Sequence, residues 1–415
     1  MNKKKNSSAT DYLRQAAILC GGRGERLRPL TDTIPKPMLP VNGKPFLEYL
    51  LEQLKDNGIK EVVLLTGYLG GQIREYFGNG ERVGLTIKYS HGPIEWETGR
   101  RLAQAKSMLD ERFLLLYSDN FVPFDLKKSL RFNKEQDKLL TFIVHPKDKG
   151  NIRLGGDGQV IAYDKSRSSK GLDFVELGYM VVSKKVFDYY TCENPSFSDI
   201  ISILVLKGQV SGEPVLSDYY SISDLERLKL AEKYLLPKKI LLIDRDGVIN
   251  QKAPRGEYID SWDKFVFIRE NIDGMKKLFN LGFNFIIISN QAGIGRGVVS
   301  AEAVRQIHEK MRAALRDRDV KILDIYVCPH HWEDKCSCRK PEPGLFFQAS
   351  REHLFRLDKT FFIGDDPRDC QAAYRAGCKS IYIGKNKDLA EIQQYERPEL
   401  VVNNLKEAVT YLEAA

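Results

Sequence analysis

Short apolar runs alternate along the whole chain with amphipathic stretches, and most of the runs close on glycine or on acidic residues. Examples are QAAILC, EVVLLTG, FLLLYSD, KILLID, FNFIIISN and KTFFIGD. Buried strands that alternate with helical stretches are typical of α/β folds. The pattern restarts after Leu235, where a helix-like stretch ends at Pro237 and a new apolar run begins. We therefore predict two doubly wound α/β domains, over residues 11–236 and 237–415.

The length of the chain agrees with this division. Its 415 residues are too many for one ordinary core and suit two domains of about 200 residues. No apolar run reaches the ~18 residues of a membrane helix, so we expect no membrane span. The basic start of the chain, MNKKKNSSATDYLRQ, lacks the apolar core of a signal peptide. We expect a short disordered lead-in and a cytoplasmic protein.

The net charge of +8 narrows the partners only a little. It arises from 64 basic and 56 acidic residues, with no basic block beyond Lys3–Lys5 and no stripe of aromatic and basic residues. Nucleic-acid binding is therefore not indicated. A mild positive charge fits phosphorylated small-molecule substrates, and it fits a solvated basic surface equally well. The oligomeric state stays open, with a homo-oligomer among the alternatives.

A glycine-rich turn follows the first predicted strand. The segment AAILCGGRGERL places Gly21, Gly22 and Gly24 directly after the apolar run. Glycine lets backbone amides approach phosphate oxygens closely, and Arg26 and Lys36 add positive charge nearby. A tight strand-to-helix connection would explain the glycines alone. The turn is thus a candidate phosphate-binding loop. The residues that follow it decide between this function and a plain strand-to-helix connection.

That longer context, GGRGERLRPLTDTIPKPMLPVNGKP, resembles the signature of the sugar-phosphate nucleotidylyltransferase family. The P-loop pattern GxxxxGK[ST] is absent, and Leu27 stands where a dinucleotide-binding fingerprint needs its third glycine. Members of the resembled family join a nucleoside triphosphate to a sugar 1-phosphate and release pyrophosphate. The resemblance implies a Rossmann-like (GT-A-like) nucleotidyltransferase domain in which Arg26 neutralises the departing pyrophosphate and Lys36 holds the reacting phosphates.

Three further residues match this family. Asp119 closes the run FLLLYSD and corresponds to a magnesium-binding aspartate, with a turn-capping carboxylate as the alternative. Lys165 corresponds to the lysine that grips the sugar phosphate, although a surface lysine would look the same. Gly178, in VELGYMVV, corresponds to a glycine that passes under the sugar.

Two departures put the activity of this half in question. Ser221, in SISDLER, stands where the family has a second metal-binding aspartate, and either Asp218 or Asp224 could substitute or be an ordinary loop carboxylate. In ETGRR, Arg100 and Arg101 replace the small residues that usually lie against the base. Base recognition could therefore differ, and the transferase could be weak or silent.

The second half opens with a pair of aspartates. The segment KKILLIDRDGVIN places Asp244 and Asp246 after a buried strand, on one face, with Arg245 pointing away. Such a pair suits covalent phosphoryl transfer, in which one carboxylate attacks phosphorus and the other protonates the leaving alkoxide and later activates water. For an isolated pair, a surface turn would be the simpler interpretation.

The pair is not isolated, because polar groups also follow other predicted strands. These groups are Ser289, Asn290, Asp365 and Asp366, and the segment CRKPEPG adds Lys340. The carboxyl ends of parallel strands share one edge of the sheet, so we expect most of these groups to form one site with the aspartate pair. The set DxD, Ser, Lys and GDD resembles the four motifs of the haloacid dehalogenase (HAD) superfamily.

The HAD resemblance implies a role for each of these residues. Asp244 would be the nucleophile and Asp246 the general acid/base, while Ser289 and Lys340 would hold the phosphate. Magnesium would be bound by Asp365, Asp244 and the carbonyl of Asp246. Asp366 would be a further ligand or would support one.

A loop rich in cysteine precedes Lys340. In CPHHWEDKCSCRKP, three thiols and one imidazole suit a closed, structural zinc site, and its ligands would be Cys328, His330, Cys336 and Cys338. Scattered buried cysteines, or His331 in place of His330, are the alternatives. A zinc loop before RKP narrows the resemblance to phosphatases of D-glycero-D-manno-heptose 1,7-bisphosphate or of histidinol phosphate, and NQAGIGRG favours the heptose enzymes. Arg339 would help to hold phosphate or sugar.

The two halves together suggest a bifunctional enzyme of GDP-heptose synthesis. The phosphatase would remove the 7-phosphate, and the transferase would activate the resulting heptose 1-phosphate, with GTP as the nucleotide implied by resemblance. Magnesium is expected in both domains and zinc in the second. One alternative is a histidinol-phosphate or other sugar phosphatase joined to a hexose-1-phosphate transferase. Another is a phosphatase with a silent nucleotide-binding regulatory domain.

Overall fold

The computed structural model describes residues 13–254 and 256–414. The chain forms two compact units that divide between Leu235 and Leu236. The predicted N-terminal lead-in, residues 1–10, lies outside the described residues. Among the helices of those residues, none has the length and apolar character needed to cross a bilayer.

The first unit is built on a nine-stranded mixed sheet with two small two-stranded sheets beside it. Its strands, in chain order, are β1 (Gln15–Cys20), β2 (Pro40–Val41), β3 (Lys44–Pro45), β4 (Glu61–Thr66), β5 (Thr86–His91), β6 (Arg112–Tyr117), β7 (Asn120–Phe121), β8 (Leu140–Pro146), β9 (Ile152–Leu154), β10 (Val160–Tyr163), β11 (Phe174–Ser183), β12 (Val210–Pro214) and β13 (Tyr220–Ser221). The parallel part runs in the order β6-β1-β4-β5. Strand β11 then pairs antiparallel with β6.

Helices cover this sheet and explain why its central strand is wholly buried. They are α1 (Phe46–Asp56), α2 (Gly70–Phe77), α3 (Thr98–Gln104), α4 (Leu126–Gln136), α5 (Phe197–Leu206) and α6 (Leu225–Leu235). Every residue of β1 is buried, as expected for a parallel strand covered on both faces. The glycine-rich turn therefore begins at the carboxyl end of a fully buried central strand.

The second unit has one parallel sheet of six strands. The strands are β14 (Ile240–Ile243), β15 (Asn284–Asn290), β16 (Ile322–Cys328), β17 (Phe361–Gly364), β18 (Lys379–Ile383) and β19 (Leu400–Val402). The helices are α7 (Arg269–Asn280), α8 (Ala292–Gly295), α9 (Ala301–Arg316), α10 (Gly344–His353), α11 (Pro367–Ala376) and α12 (Leu405–Ala414). Separate apolar clusters pack on the two faces of the sheet.

The strand order of this sheet determines where its ligands can bind. The order is β16-β15-β14-β17-β18-β19, so the chain moves outward from β14 first on one side and then on the other. A crevice opens at the carboxyl ends of the strands where the direction reverses, here beside β14 and β17. The predicted doubly wound α/β class is confirmed; the antiparallel strands of the first unit are an addition that the alternating pattern did not reveal.

Candidate active sites

The glycine turn of the first unit lies against a buried arginine. Arg101, on α3, is 5% exposed. Its guanidinium donates hydrogen bonds at 2.9, 3.2 and 2.6 Å to the carbonyls of Thr66, Gly92 and Pro93. A Cβ added at Gly21 or at Gly67 would lie 2.6 Å from this guanidinium. Gly21 is therefore a glycine because Arg101 fills the space beneath it.

The neighbouring glycine faces a different environment. A Cβ added at Gly22 would have no atom within 4 Å, and Gly22 is exposed. Gly24 adopts a left-handed conformation with φ of 66°. Of the two arginines in ETGRR, Arg101 belongs to the buried support of the turn, whereas Arg100 lies 5.1 Å from the centre of the Trp96 ring.

The predicted phosphate-binding lysine and metal-binding aspartate meet in the structure. Lys36 Nζ lies 2.5 Å from Asp119 Oδ2, just beyond the end of β6. Arg26 is exposed in the turn that follows the glycines, and Lys165 is exposed in a loop beyond β10. That loop is organised by Asp164, which accepts hydrogen bonds from backbone and hydroxyl groups of Ser166 and Ser169.

Gly178 lies in an irregularity of β11, where the register with β8 shifts between Glu176 and Met180. Its φ is 75°, and an added Cβ would lie 2.7 Å from the ring of Tyr117. Only glycine fits both the left-handed conformation and this close approach. The chain can therefore pass close to a ligand at this point.

Glu176 is a residue of this site that sequence reasoning missed. Its Oε2 accepts a 2.9 Å hydrogen bond from the amide of Gly178. Burial raises the pKa of Glu176 to about 7 against the effect of that hydrogen bond, and the nearby Asp119 carboxylate adds to the rise. The signal available in the sequence was an acidic residue two positions before the glycine in VELGYM.

The structure also shows what occupies the position of the second metal-binding aspartate. Ser221 pairs with Asn120 across β13 and β7, which places it beside Asp119. The guanidinium of Arg227 lies 3.4 Å from its hydroxyl. Asp224 is engaged at the start of α6, where it accepts from the Arg227 amide and pairs with the Arg227 guanidinium. Asp224 is thus turned toward the helix.

In the second unit, three carboxylates converge beside β14 and β17. Oxygens of Asp244, Asp365 and Asp369 lie within 4.8 Å of one another, a cluster that could hold a metal ion. Asp369 was not predicted; it lies in the first turn of α11 and accepts from the amides of Asp365 and Asp366. Oδ1 of Asp365 is buried without a hydrogen-bond partner in the described residues, as suits an oxygen directed at a cation.

A buried lysine connects these carboxylates. Lys340 is 2% exposed, and its Nζ lies 3.0 Å from Asp244 Oδ1 and 2.8 Å from Asp369 Oδ1. Burial opposes the charged form of Lys340, but the two carboxylates outweigh it and raise the lysine pKa. Burial raises the pKa of Asp244 to about 7, against the opposing effect of Lys340. The pKa of Asp365 rises to about 6 because of burial, against its 2.8 Å ion pair with Lys252.

Arg245 does not point away from the aspartate pair, so that prediction is wrong. It is 1% exposed, and its Nη2 lies 2.9 and 2.8 Å from the two carboxylate oxygens of Asp246. Strand alternation does not apply here because β14 ends at Ile243. Asn250 and Gln291 also donate to Asp246, at 2.9 and 2.8 Å. Burial would raise the pKa of Asp246, but Arg245 and these donors lower it overall.

The other predicted phosphate-site residues are divided between direct and supporting positions. Ser289 is the buried, penultimate residue of β15, and its hydroxyl accepts a 2.8 Å hydrogen bond from Gln291. Asn290 exchanges two 3.0 Å hydrogen bonds with the backbone of Lys340 and so fixes that segment. Arg339 has a buried Nη1 with no partner in the described residues. Asp366 caps α11 and pairs with the guanidinium of Arg368.

The predicted zinc ligands form one cluster. Its members are Cys328, His330, Cys336 and Cys338. The sulfur atoms lie 3.4 to 3.6 Å apart, and Nδ1 of the imidazole lies 3.1 and 3.7 Å from two of them. Tetrahedral zinc would set about 3.8 Å between sulfurs and about 3.6 Å between nitrogen and sulfur, so the four donors fit one ion. His331 is not a member, since its Nδ1 accepts from the amide of Glu333.

Comparison with known proteins divides the chain in the same way. Residues 15–228 match the model of the nucleotidyl transferase family, and residues 337–408 match a HAD-hydrolase-like family. The second unit is 35% identical over 154 residues to a D-glycero-alpha-D-manno-heptose-1,7-bisphosphate 7-phosphatase of Photorhabdus laumondii, which covers 35% of this chain and 82% of that protein.

Two other similarities are more limited. The histidine biosynthesis bifunctional protein HisB of Campylobacter jejuni is 33% identical over 150 residues, which are 36% of this chain and 43% of that protein. The crystal structure of HddC from Yersinia pseudotuberculosis is 23% identical with a TM-score of 0.46, and the match covers 53% of this chain and 98% of that one.

The two adjacent glycines of the turn should respond differently to a methyl group. Gly21→Ala should lower the free energy of unfolding of the first unit by about 1–3 kcal/mol, because the new Cβ overlaps the buried Arg101 guanidinium. Gly22→Ala is the matched control and should not lower it, since its Cβ meets nothing. Denaturant unfolding measures both, and equal losses would contradict this account of the turn.

Proposed function

This chain belongs to the nucleotidyl transferase family through residues 15–228 and to the heptose-1,7-bisphosphate 7-phosphatases through its second unit, and we propose that its two sites catalyse successive steps of heptose activation. The chain is thus both a nucleotidyltransferase and a phosphatase. The second unit would remove the 7-phosphate of D-glycero-D-manno-heptose 1,7-bisphosphate. The first would join the resulting heptose 1-phosphate to a nucleotide. Because the proposed reactions consume a nucleoside triphosphate, we propose that the protein is cytoplasmic.

The observation that supports the phosphatase most strongly is the buried Lys340 between Asp244 and Asp369. A buried cation at this point stabilises the negative charge of a bound phosphate and keeps Asp244 able to ionise despite its burial. We assign Asp244 as the nucleophile that forms a bond to phosphorus as the bond to the sugar oxygen breaks. Ser289 and Lys340 hold the phosphate oxygens during this step.

Asp246 completes the reaction as general acid and base. It gives a proton to the leaving sugar oxygen, and it then takes a proton from the water that attacks the aspartyl phosphate and releases inorganic phosphate. The donors around Asp246 favour its ionised form, which is the form that accepts the proton from water. For the first step Asp246 must carry a proton, and the charge of the bound phosphate favours that protonation.

The acidic cluster would hold magnesium in this unit. Asp244, Asp365 and Asp369 would be its carboxylate ligands, and the buried, unpartnered Oδ1 of Asp365 supports this assignment. When bound, the cation reduces the repulsion between the nucleophilic carboxylate and the anionic phosphate. The carbonyl of Asp246 stays a predicted ligand.

In the first unit, Lys36 and Arg26 would stabilise the reacting phosphates. An oxygen of the sugar 1-phosphate attacks the α-phosphorus of the nucleotide, and pyrophosphate leaves with its negative charge balanced by these residues. Asp119 would hold magnesium, and Lys165 would bind the sugar phosphate. Glu176, with its pKa near 7, is placed to accept or donate a hydrogen bond to a sugar hydroxyl next to Gly178.

Guanine is the base that we propose, because the GGRGERLRPL signature resembles that of the guanylyltransferase of the GDP-heptose route. Arg101 is committed to the backbone beneath the turn, so base contacts would come from elsewhere. A second candidate for the phosphatase substrate is histidinol phosphate, favoured by the 33% identity to HisB.

One phosphorus-NMR time course can test both activities. Purified protein with magnesium, heptose 1,7-bisphosphate and each of the four nucleoside triphosphates should release phosphate first, and then pyrophosphate only with the accepted nucleotide. Asp244→Asn should lower phosphate release by at least about 10³-fold and leave nucleotidyl transfer to added heptose 1-phosphate intact. Lys36→Ala should lower nucleotidyl transfer by about 10²-fold or more and leave phosphate release intact.

Each proposal has its own contrary result. Histidinol phosphate cleaved in preference to the bisphosphate would overturn the heptose assignment. Phosphate release without consumption of any triphosphate, even with heptose 1-phosphate supplied, would make the first unit a regulatory module rather than a transferase on this sugar.

We also propose that the cysteine cluster binds one structural zinc ion. Elemental analysis should find about one zinc per chain, and Cys338→Ser should lower it along with the melting temperature. Phosphatase activity should fall too, because Cys338 lies two residues before Lys340. Cys192→Ser is the control, since Cys192 is exposed and outside the cluster. Unchanged zinc content in Cys338→Ser protein would refute the site.

A further inference from the structure

A buried chain of hydrogen bonds connects helix α9 to the phosphatase aspartate pair. Arg245 Nη1 lies 2.9 Å from Nε2 of His308, and its Nη2 binds both oxygens of Asp246. We infer that His308 is a positioning residue for the phosphatase: it fixes Arg245, and Arg245 fixes the general acid/base Asp246. This inference rests on the proposed phosphatase activity.

The nitrogen atoms of the Arg245 guanidinium bind different partners, and His308 is needed to fix the orientation of Arg245. Nε and Nη2 of Arg245 are directed at Asp246, which leaves Nη1 for His308. Arg245 is 1% exposed, so water cannot readily replace a lost acceptor. A buried guanidinium donor without an acceptor costs free energy, and the arginine would turn to find another partner. Asp246 would turn with it.

His308 can accept this bond because its ring is neutral. Burial and, after it, the charge of Arg245 lower the pKa of His308 to about 3. With Nε2 accepting from Arg245, the ring proton lies on Nδ1. The acceptor is therefore present at neutral pH.

The same bonds connect Asp246 to the phosphate-binding side of the site. Gln291 donates from one amide nitrogen both to Asp246 Oδ2 and to the hydroxyl of Ser289. Arg245 holds Asp246 from one side, and Gln291 and Asn250 hold it from others. A change in the orientation of Arg245 would therefore change the orientation of the Asp246 carboxyl group relative to the leaving oxygen.

A cavity beside His308 offers space for matched substitutions. The ring lines a cavity of about 400 Å³ together with Ile294, Val304 and Ile325. His308→Leu removes the acceptor and places an apolar side chain against apolar neighbours. His308→Gln keeps an amide oxygen near the position of Nε2. His308→Asn is polar but too short to reach Arg245.

The test uses the dependence of the rate on the leaving group. A primary alkyl phosphate such as a sugar phosphate needs a proton on its leaving oxygen, whereas p-nitrophenyl phosphate does not. His308→Leu should lower kcat/KM for the alkyl phosphate by about 10- to 100-fold, the usual effect of removing such a supporting partner. For p-nitrophenyl phosphate, kcat/KM should change by less than about 3-fold, because departure of its leaving group gains little from a general acid.

Control variants make the pattern specific. Asp246→Asn should show the same selectivity for the leaving group, and His308→Gln should restore most of the alkyl phosphate rate. If His308→Leu does not fold, His308→Asn carries the test, with its fold checked by circular dichroism.

Two results would overturn the inference. Equal losses on both substrates would make His308 a structural residue only, and unchanged rates on both would show that it has no effect on Asp246. A wild-type protein that cleaves neither phosphate would instead refute the proposed phosphatase itself.

Discussion

Most of the second unit depends on one interaction, the buried ion pair of Lys340 with Asp244 and Asp369. Two carboxylates this deeply buried would repel each other and become protonated without a cation between them. Lys340 can occupy that position because Asn290 holds its backbone and the Ile288 carbonyl accepts from its ammonium group. Strand β15, the loop that carries Lys340 and helix α11 are therefore arranged around the charge of the Lys340 ammonium group.

The first unit also has a buried cation next to its candidate site, but the residue is an arginine. Arg101 places a positive charge beneath the glycine turn, and its guanidinium donates hydrogen bonds to three backbone carbonyls. The carboxylates of Glu95 and Glu97 interact with this charge and offset part of it. The guanidinium still contributes positive potential at the end of β1, where the anionic nucleotide is proposed to bind. In both units, a buried cation at the end of a central parallel strand prepares the site for phosphate.

The sequence predicted the fold class because alternating buried strands and amphipathic helices leave a clear pattern in apolar residues. It also predicted one site for Asp244, Lys340 and Asp365, because most of the polar groups in that half follow parallel strands that end on one side of the sheet. The roles of Lys36 and Asp119 came instead from the family resemblance. The sequence could not reveal the role of Arg101, since burial of a charge depends on three-dimensional contacts that no local pattern records.

The residues that sequence reasoning missed share one physical property. Asp369 and His308 lie on helices, and Glu176 lies in a strand irregularity, so none closes an apolar run. Their importance comes from a partner distant in the chain: Lys340 for Asp369, Arg245 for His308. Arg245 itself was misplaced because strand alternation was extended past the last residue of β14.

The ion pair of Lys340 also bears on how the second unit folds. Asp244 precedes Lys340 by about 100 residues, and Asp369 follows it by about 30, so the trio can assemble only after long loops have closed. Until α11 docks, each of the three charges is more stable in water than inside the protein. We therefore expect the nucleophilic carboxylate to stay hydrated in partly folded chains and to become enclosed only when all three segments have docked.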